Sequence, residues 1–275
     1  MNKSLKINLT ATKPRPELIP PHLHSGTSVA AFHWKKVVAL LPLCGVCVWH
    51  SGLKALGIFT ASLAGGLAAE ILAETFLKKK LKLSDGSAVL NCLLFALMIP
   101  PGAPFWMPAA GAFFGLLIGR EIFGGLAAGL FLPALVGRIF LEACFPSSIS
   151  SSAVLFGGGW PAGIAVLAGA VLLISWKLIF WEAPLFYLAS IFIFFLVFRP
   201  GLFSPALFFS AFFLLTDSAS TPVSVWGRRI FAAAAGMGVF FFNQWGAPMP
   251  FVVALLTAEI LTPWLDRLTR PAGGV

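Results

Sequence analysis

From residue 34 to residue 266 the chain is a succession of apolar runs broken only by short polar turns, and no water-soluble core can absorb that many of them. Of its 275 residues 59% are hydrophobic and only 11% charged, with a mean hydropathy of +0.93. A soluble domain carries roughly twice that charge to cover its surface. The solvent of this chain is therefore mostly lipid. The formal net charge of +9 invites a nucleic-acid reading, but the cations sit in short turns between apolar runs and mark membrane topology rather than a phosphate-binding face.

The first 33 residues are polar and proline-containing (KPRPELIPPHLH) and hold no apolar stretch of signal-peptide type, so the first span is expected to act as the targeting signal. Cys44, Cys47, Cys92 and Cys144 lie within or beside apolar runs, which argues against a disulfide framework.

Cut at Pro/Gly clusters and charges, the apolar runs give ten segments: 34–50, 53–76, 86–99, 104–119, 121–145, 161–177, 180–198, 202–216, 226–243 and 248–266. A full span needs about 20 apolar residues. Segments 86–99 and 202–216 are short for that, as broken helices lining a site are. With the N-terminus inside, sixteen of the 19 Lys and Arg residues fall on the inner side. Lys54 and Arg199 fall outside, and Arg138 lies within a segment. That bias places both termini in the cytoplasm. All nine tryptophans fall near a segment end, as an interfacial belt requires.

The expected fold is all-α and polytopic, with about ten transmembrane helices in two five-helix halves. Its parts are a polar segment (1–33), a first half (34–145), an outer loop (146–160), a second half (161–268) and a tail (269–275). Five crossings per half make the halves inverted.

Ionisable groups at membrane depth are costly, so each needs a reason. Asp85 opens the third segment in Ser84-Asp85-Gly86-Ser87, and Asp217 closes the eighth in Thr216-Asp217-Ser218-Ala219-Ser220-Thr221. Both are expected at the cytoplasmic end, beside Arg120-Glu121, Phe123-Gly124-Gly125 and Arg228-Arg229. One reading makes the two aspartates helix caps paired with those arginines. The other makes the cluster a site for a polar cofactor or a cation. Arg138 and Glu142, four apart, are expected to pair within one helix. Glu70 and Glu74 read as a solvated helix end, and Glu259 stands inside the last span with no local partner, as a group handling protons or cations would. Cys44-x-x-Cys47-x-x-His50 offers too few ligands for zinc or an iron–sulfur cluster, so no metal site is expected. Phosphate loops, HExxH and GxSxG are missing, and no catalytic residue is assigned.

Taken together and in order, several stretches resemble the RnfD family, the D subunits of Rnf ion-translocating electron-transport complexes, and the related B subunits of sodium-translocating NADH:quinone oxidoreductases. They are Pro21-His22-Leu23-His24-Ser25-Gly26, Ser84 to Val89 with the run into Ile99-Pro100-Pro101-Gly102, Phe123-Gly124-Gly125-Leu126, and Pro133-Ala134-Leu135-Val136-Gly137-Arg138. Thr216-Asp217 through Thr221-Pro222 and Asp266-Arg267-Leu268-Thr269-Arg270-Pro271 complete the series.

The resemblance implies one component of a multisubunit complex in the bacterial inner membrane, carrying electrons by flavin and coupled to sodium ions or protons. On this chain it points to Asp85, Gly86, Ser87, Phe123, Gly124, Gly125, Asp217, Ser218 and Thr221 for the cofactor, and to Asp85, Arg138, Glu142, Asp217 and Glu259 for the ion path. The family typically holds flavin mononucleotide through a threonine after the fifth helix. Here no threonine lies between Thr75 and Thr216, so covalent flavin is expected to be absent, and any flavin (mononucleotide or riboflavin) non-covalent. Leu132 stands where the family usually has asparagine before the proline, and Glu259 near a position where it often has asparagine. A solute transporter or channel, or a non-redox scaffold within such a complex, are the rival readings of the same features.

Overall fold

Helix α1 (Val29–Ser51) runs the full depth of the molecule, turns at Gly52 and returns as α2 (Leu53–Leu77). The computed structural model describes residues 28–77, 85–123, 129–149, 154–157, 159–198, 204–217 and 220–269, and every regular element among them is helical. The first half continues with α3 (Ser87–Leu97), α4 (Trp106–Leu116) prolonged by a π-helical turn (Leu117–Glu121), and α5 (Pro133–Cys144). A single-turn helix, α6 (Pro146–Ile149), leads to the second half. That half comprises α7 (Trp160–Ser175), α8 (Glu182–Phe198), α9 (Pro205–Phe209) prolonged by a π-helical turn (Ser210–Leu214), α10 (Val225–Gln244) and α11 (Pro250–Thr269).

Each of the ten apolar segments thus contains a helix. Val29–Ser51, Leu53–Phe76 and Val225–Gln244 are each long and apolar enough to cross a bilayer unaided. The third helix of each half is short: α3 has 11 residues and α9 with its π turn spans 205–214, each about 15 Å at 1.5 Å per residue. That is half of a hydrocarbon core of about 30 Å. One segment departs from expectation. The run 121–145 is not one helix, because the π turn ends at Glu121 and α5 starts only at Pro133. Proline fits the first helical turn and forces the residue before it out of the helical region, and Leu132 is accordingly extended (φ −68, ψ 115).

The halves repeat one packing scheme. In the first, α2 lies parallel to α4, through Gly57 against Phe105, Gly65 against Ala109 and Glu70 against Arg120. In the second, α8 lies parallel to α10, through Glu182 against Arg229, Tyr187 against Gly236 and Phe194 against Phe240. The fourth and fifth helices of each half run antiparallel, as Gly111–Leu141 and Gly119–Pro133 show in one and Gly238–Ala254 in the other. Equivalent helices meet across the middle in opposite directions. Between α1 and α7, Ala39 faces Gly169, and His50 at the far end of α1 faces Gly157, three residues ahead of α7. On α5 and α11, Leu132 reaches Glu259 and Arg138 reaches Met249. This is the inverted arrangement that five crossings per half require.

The connector between the halves folds inward. Val154, Leu155 and Phe156 are buried, and the Leu155 N–H donates to the carbonyl of Leu97 at the end of α3 (3.1 Å). A helix ending inside the membrane leaves carbonyls that no water can reach, and this contact satisfies one of them. All nine tryptophans sit at or near helix ends, 37% to 81% exposed, where an aromatic belt belongs.

Close backbone contact is what the glycines between α4 and α5 permit. A Cβ on Gly137 would run into the carbonyl of Gly111, and one on Gly115 would lie 2.6 Å from that of Pro133. Gly137→Val should therefore cost the upper end of the about 1–3 kcal/mol typical of overpacking. Gly163→Val, where nothing lies within 4 Å, should leave thermal unfolding in detergent nearly unchanged.

Candidate functional site

A lysine near the start of α1 is drawn into the core. Lys36 is 3% exposed, and its ammonium lies 3.5 Å from Asp217 Oδ1, donates to the Thr216 carbonyl at 3.2 Å and sits 4.8 Å from the centroid of the Phe32 ring. Helical spacing explains it: Lys36 shares the buried line of His33, Leu40, Leu43 and Cys47, whereas its neighbour Lys35 does not. By sequence Lys36 counts only among the topology-setting cations, and its buried role is not visible there. Asp217 is expected beside the arginines of the inner face, and it forms an ion pair with this lysine of the opposite half.

Arg120 is also taken. Its guanidinium bonds Glu70 Oε1 at 3.0 Å and lies 3.3 Å from Glu121 Oε1, with all three residues buried. Glu70 is therefore no solvated helix end, while Glu74 is exposed. In the second half Arg229 makes the matching tie, two bonds to Glu182 at 3.2 and 3.3 Å. These groups lie at one end of the bundle, the end where α1 begins and α11 finishes, here termed proximal.

At the start of α3, Gly86 rather than Asp85 occupies the cap position. It is left-handed (φ +68), with the Trp34 indole 3.0 Å from where a Cβ would be, so only glycine fits both the conformation and the space. No side chain closes this cap, and the half-buried Asp85 stands just before it. Around it, buried polar atoms lack hydrogen-bond partners: Ser87 Oγ, Asn91 Oδ1 and His33 Nδ1, with Glu70 Oε2. Native structures rarely leave such atoms unpaired, and they commonly mark a place where something else binds.

Deeper in, Glu259 is 1% exposed and accepts the Leu132 N–H at 3.1 Å. Ten residues separate it from the proximal end of α11, about 15 Å along the helix. Its carboxyl thus meets the N-terminus of α5 near mid-membrane, where the helix dipole favours negative charge. One turn on, Thr262 donates to the Ser220 carbonyl at 2.9 Å, which holds the segment after Asp217 against α11.

Arg138 occupies the distal half and is fully buried. It donates to Met249 Sδ and the Ile149 carbonyl, both at 3.1 Å, and pairs loosely with Glu142 at 3.8 Å. Its hydrogen bonds therefore fasten α6 and the head of α11 to α5.

Thr221, which donates to the Asp217 carbonyl at 2.7 Å, borders a separate cavity. Phe123 is exposed and edge-on to Phe131, with centroids 6.0 Å apart. Gly124, Gly125 and Ser218 lie outside the described residues, as does the Pro21–Gly26 stretch. Among the described residues no group of three or more His, Cys, Asp or Glu is placed to hold a metal ion.

The profile of the NQR2, RnfD, RnfE family matches residues 19–162 and 152–273. The chain is 31% identical to the D subunit of the ion-translocating oxidoreductase complex of Methanosarcina acetivorans, over 93% of this chain and 96% of that one. It is 28% identical to the D subunit of the Na(+)-translocating ferredoxin:NAD(+) oxidoreductase complex of Acetobacterium woodii, over 96% and 95%. To the D subunit of the proton-translocating ferredoxin:NAD(+) oxidoreductase complex of Clostridium ljungdahlii it is 26% identical, over 91% and 93%.

The Lys36–Asp217 pair should be strongly coupled, its side chains being 4% and 12% exposed. Lys36→Met alone should cost about 3–5 kcal/mol by stranding a buried charge, and Lys36→Met with Asp217→Leu markedly less than the sum of the two single changes. A double-mutant cycle on unfolding in detergent reads this directly; additive losses would show the two groups to be independent.

Proposed function

Because the chain belongs to the NQR2, RnfD, RnfE family, we propose that it is the D-type membrane component of an Rnf-like complex in a bacterial inner membrane, with its proximal end cytoplasmic, passing electrons by way of a non-covalent flavin and coupling that transfer to a cation. The observation that carries the reading is the polar core that reaches from the proximal end to mid-membrane. Lys36, Asp217, Glu70, Arg120 and Glu259 are all buried in a chain whose solvent is lipid, and such groups are retained at that cost where charge must be handled.

The flavin reading rests on the donor set. The head of α3 offers a helix N-terminus with the partnerless Ser87 Oγ, Asn91 Oδ1 and His33 Nδ1, which suit the polar edge of a heterocycle. A phosphoester to threonine finds no such residue between Thr75 and Thr216. A bound flavin supplies one- and two-electron chemistry; the chain's own part is to hold the ring, exclude water and set the charge around it.

For the ion, relatives divide between sodium and protons by name. Glu259 is the pivot of the proposed route, Asp217 and Asp85 lead from it to the proximal face, and Arg138 with Glu142 stand in the distal half. Glu259 has no cation within ion-pair distance among the described residues. A cation arriving there meets a carboxylate held by the Leu132 amide at the start of α5.

Two measurements test this. Acid precipitation of the purified complex containing this chain should release its flavin into the supernatant, and Ser87→Ala should lower the amount bound. Flavin pelleting with this chain would overturn the non-covalent site. Glu259→Gln should reduce redox-driven cation uptake into vesicles by at least about tenfold, a loss of roughly 1.4 kcal/mol or more in coupling, while flavin content stays unchanged. Undiminished uptake would remove Glu259 from the route.

A further inference from the structure

At the proximal end a cavity of about 240 Å³ opens between the start of α1, the α7–α8 turn and the start of α10, bordered by Phe32, Lys177, Phe180, Thr216, Thr221 and Arg228. Among the described residues two cations line it and no acid does. The acids on the surrounding segments are engaged elsewhere: Glu182 with Arg229, Asp217 with Lys36, and Asp266 with the Val223 N–H at 3.0 Å.

Arg228 is held in place without being used up. Its guanidinium lies 3.9 Å from the Phe180 ring centroid and Nη1 donates to the Val223 carbonyl at 2.7 Å, yet Nε is buried with no partner. Opposite it, Lys177 has φ +53, the one non-glycine residue with positive φ among those described. An L-residue occupies that region at a cost, and the residue that bears it is one of the two cations bordering the cavity. The Thr216 and Thr221 hydroxyls donate to the Phe212 and Asp217 carbonyls at 2.6 and 2.7 Å, leaving their oxygens as acceptors. Trp176, Trp181 and Trp226, all exposed, place these same segments at headgroup level.

This lining matches one ligand chemistry. Its cations call for a phosphate, its acceptor hydroxyls for a hydroxylated neighbour of that phosphate, and its exposed aromatic rim for an acyl tail. We propose that the cavity seats the headgroup of an anionic phospholipid of the phosphatidylglycerol type, with Lys177 and Arg228 donating to the phosphate and the threonine oxygens accepting from the glycerol. Choline or ethanolamine lipids would bring an ammonium against Lys177 and Arg228 and are disfavoured. Basic pockets between transmembrane helices on the cytoplasmic face take up lipid headgroups for the same electrostatic reason. The site is distinct from the head of α3 and does not depend on a flavin being bound.

The test uses the full chain in detergent, titrated with phosphatidylglycerol and, separately, phosphatidylcholine, with retention read by native mass spectrometry. One phosphatidylglycerol per chain should be retained, about tenfold or more in preference to phosphatidylcholine. Arg228→Gln and Lys177→Gly should each remove that preference. Glycine suits φ +53 better than lysine does, so Lys177→Gly should bind less lipid with an unfolding temperature unchanged or raised, which separates lost binding from lost folding. Equal retention of the two lipids, or retention of phosphatidylglycerol untouched by Lys177→Gly, would overturn the proposal. Displacement of the lipid by flavin mononucleotide or inorganic phosphate at low ionic strength would also overturn it, and would reassign the cavity to a soluble phosphate ester.

Discussion

Backbone groups inside a bilayer must find partners within the protein, and the two half-length helices make that constraint acute here. Both α3 and α9 span only about half the depth, so one end of each lies where water cannot satisfy it. The inward-folded connector answers this for α3 through Leu155. Phe156 packs against the Phe209 ring of α9, with centroids 5.5 Å apart. Arg138 fixes the adjoining turn by bonding the Ile149 carbonyl. A buried arginine is expensive, and what compensates it is backbone that would otherwise be unpaired.

The polar ties fall into two kinds. Glu70–Arg120 and Glu182–Arg229 act within a half, each joining the parallel second and fourth helices at the proximal end. Lys36–Asp217, Glu259 with the Leu132 amide, and Arg138 with Met249 act between halves. Gaining or losing a charge at Asp217 or Glu259 therefore acts on the contact between the halves, not on either half alone. Many secondary transporters built from inverted repeats move one repeat against the other around a site at their interface. In a family whose members are named for ion translocation, these between-half contacts are where charge and shape are most directly joined.

The proximal end gathers much of the chemistry because many elements put a terminus there that needs a partner. Helices α3 and α10 begin on that side and α5 deeper in, and the second and eighth segments end there with carbonyls. Acids meet the helix starts, as Glu259 meets α5, and cations meet the carbonyls, as Lys36 meets Thr216.

Much of the architecture was written in the sequence. Ten apolar runs, the inward bias of lysine and arginine and the terminal tryptophans determine an all-helical membrane protein, because hydrophobic length and interfacial preference are local properties of the chain. The shortness of segments 86–99 and 202–216 was legible for the same reason, as was the Arg138–Glu142 spacing. The late start of α5 was available in Pro133 but was masked by the apolar run around it. The partners of the charges were a different matter. Lys36 finds Asp217 across the bundle from the other half, Glu70 finds Arg120, and Glu259 finds an amide on the opposite half. Such pairings depend on which helix faces meet, and burial of a charge is a property of what surrounds it, so only the tertiary structure decided them.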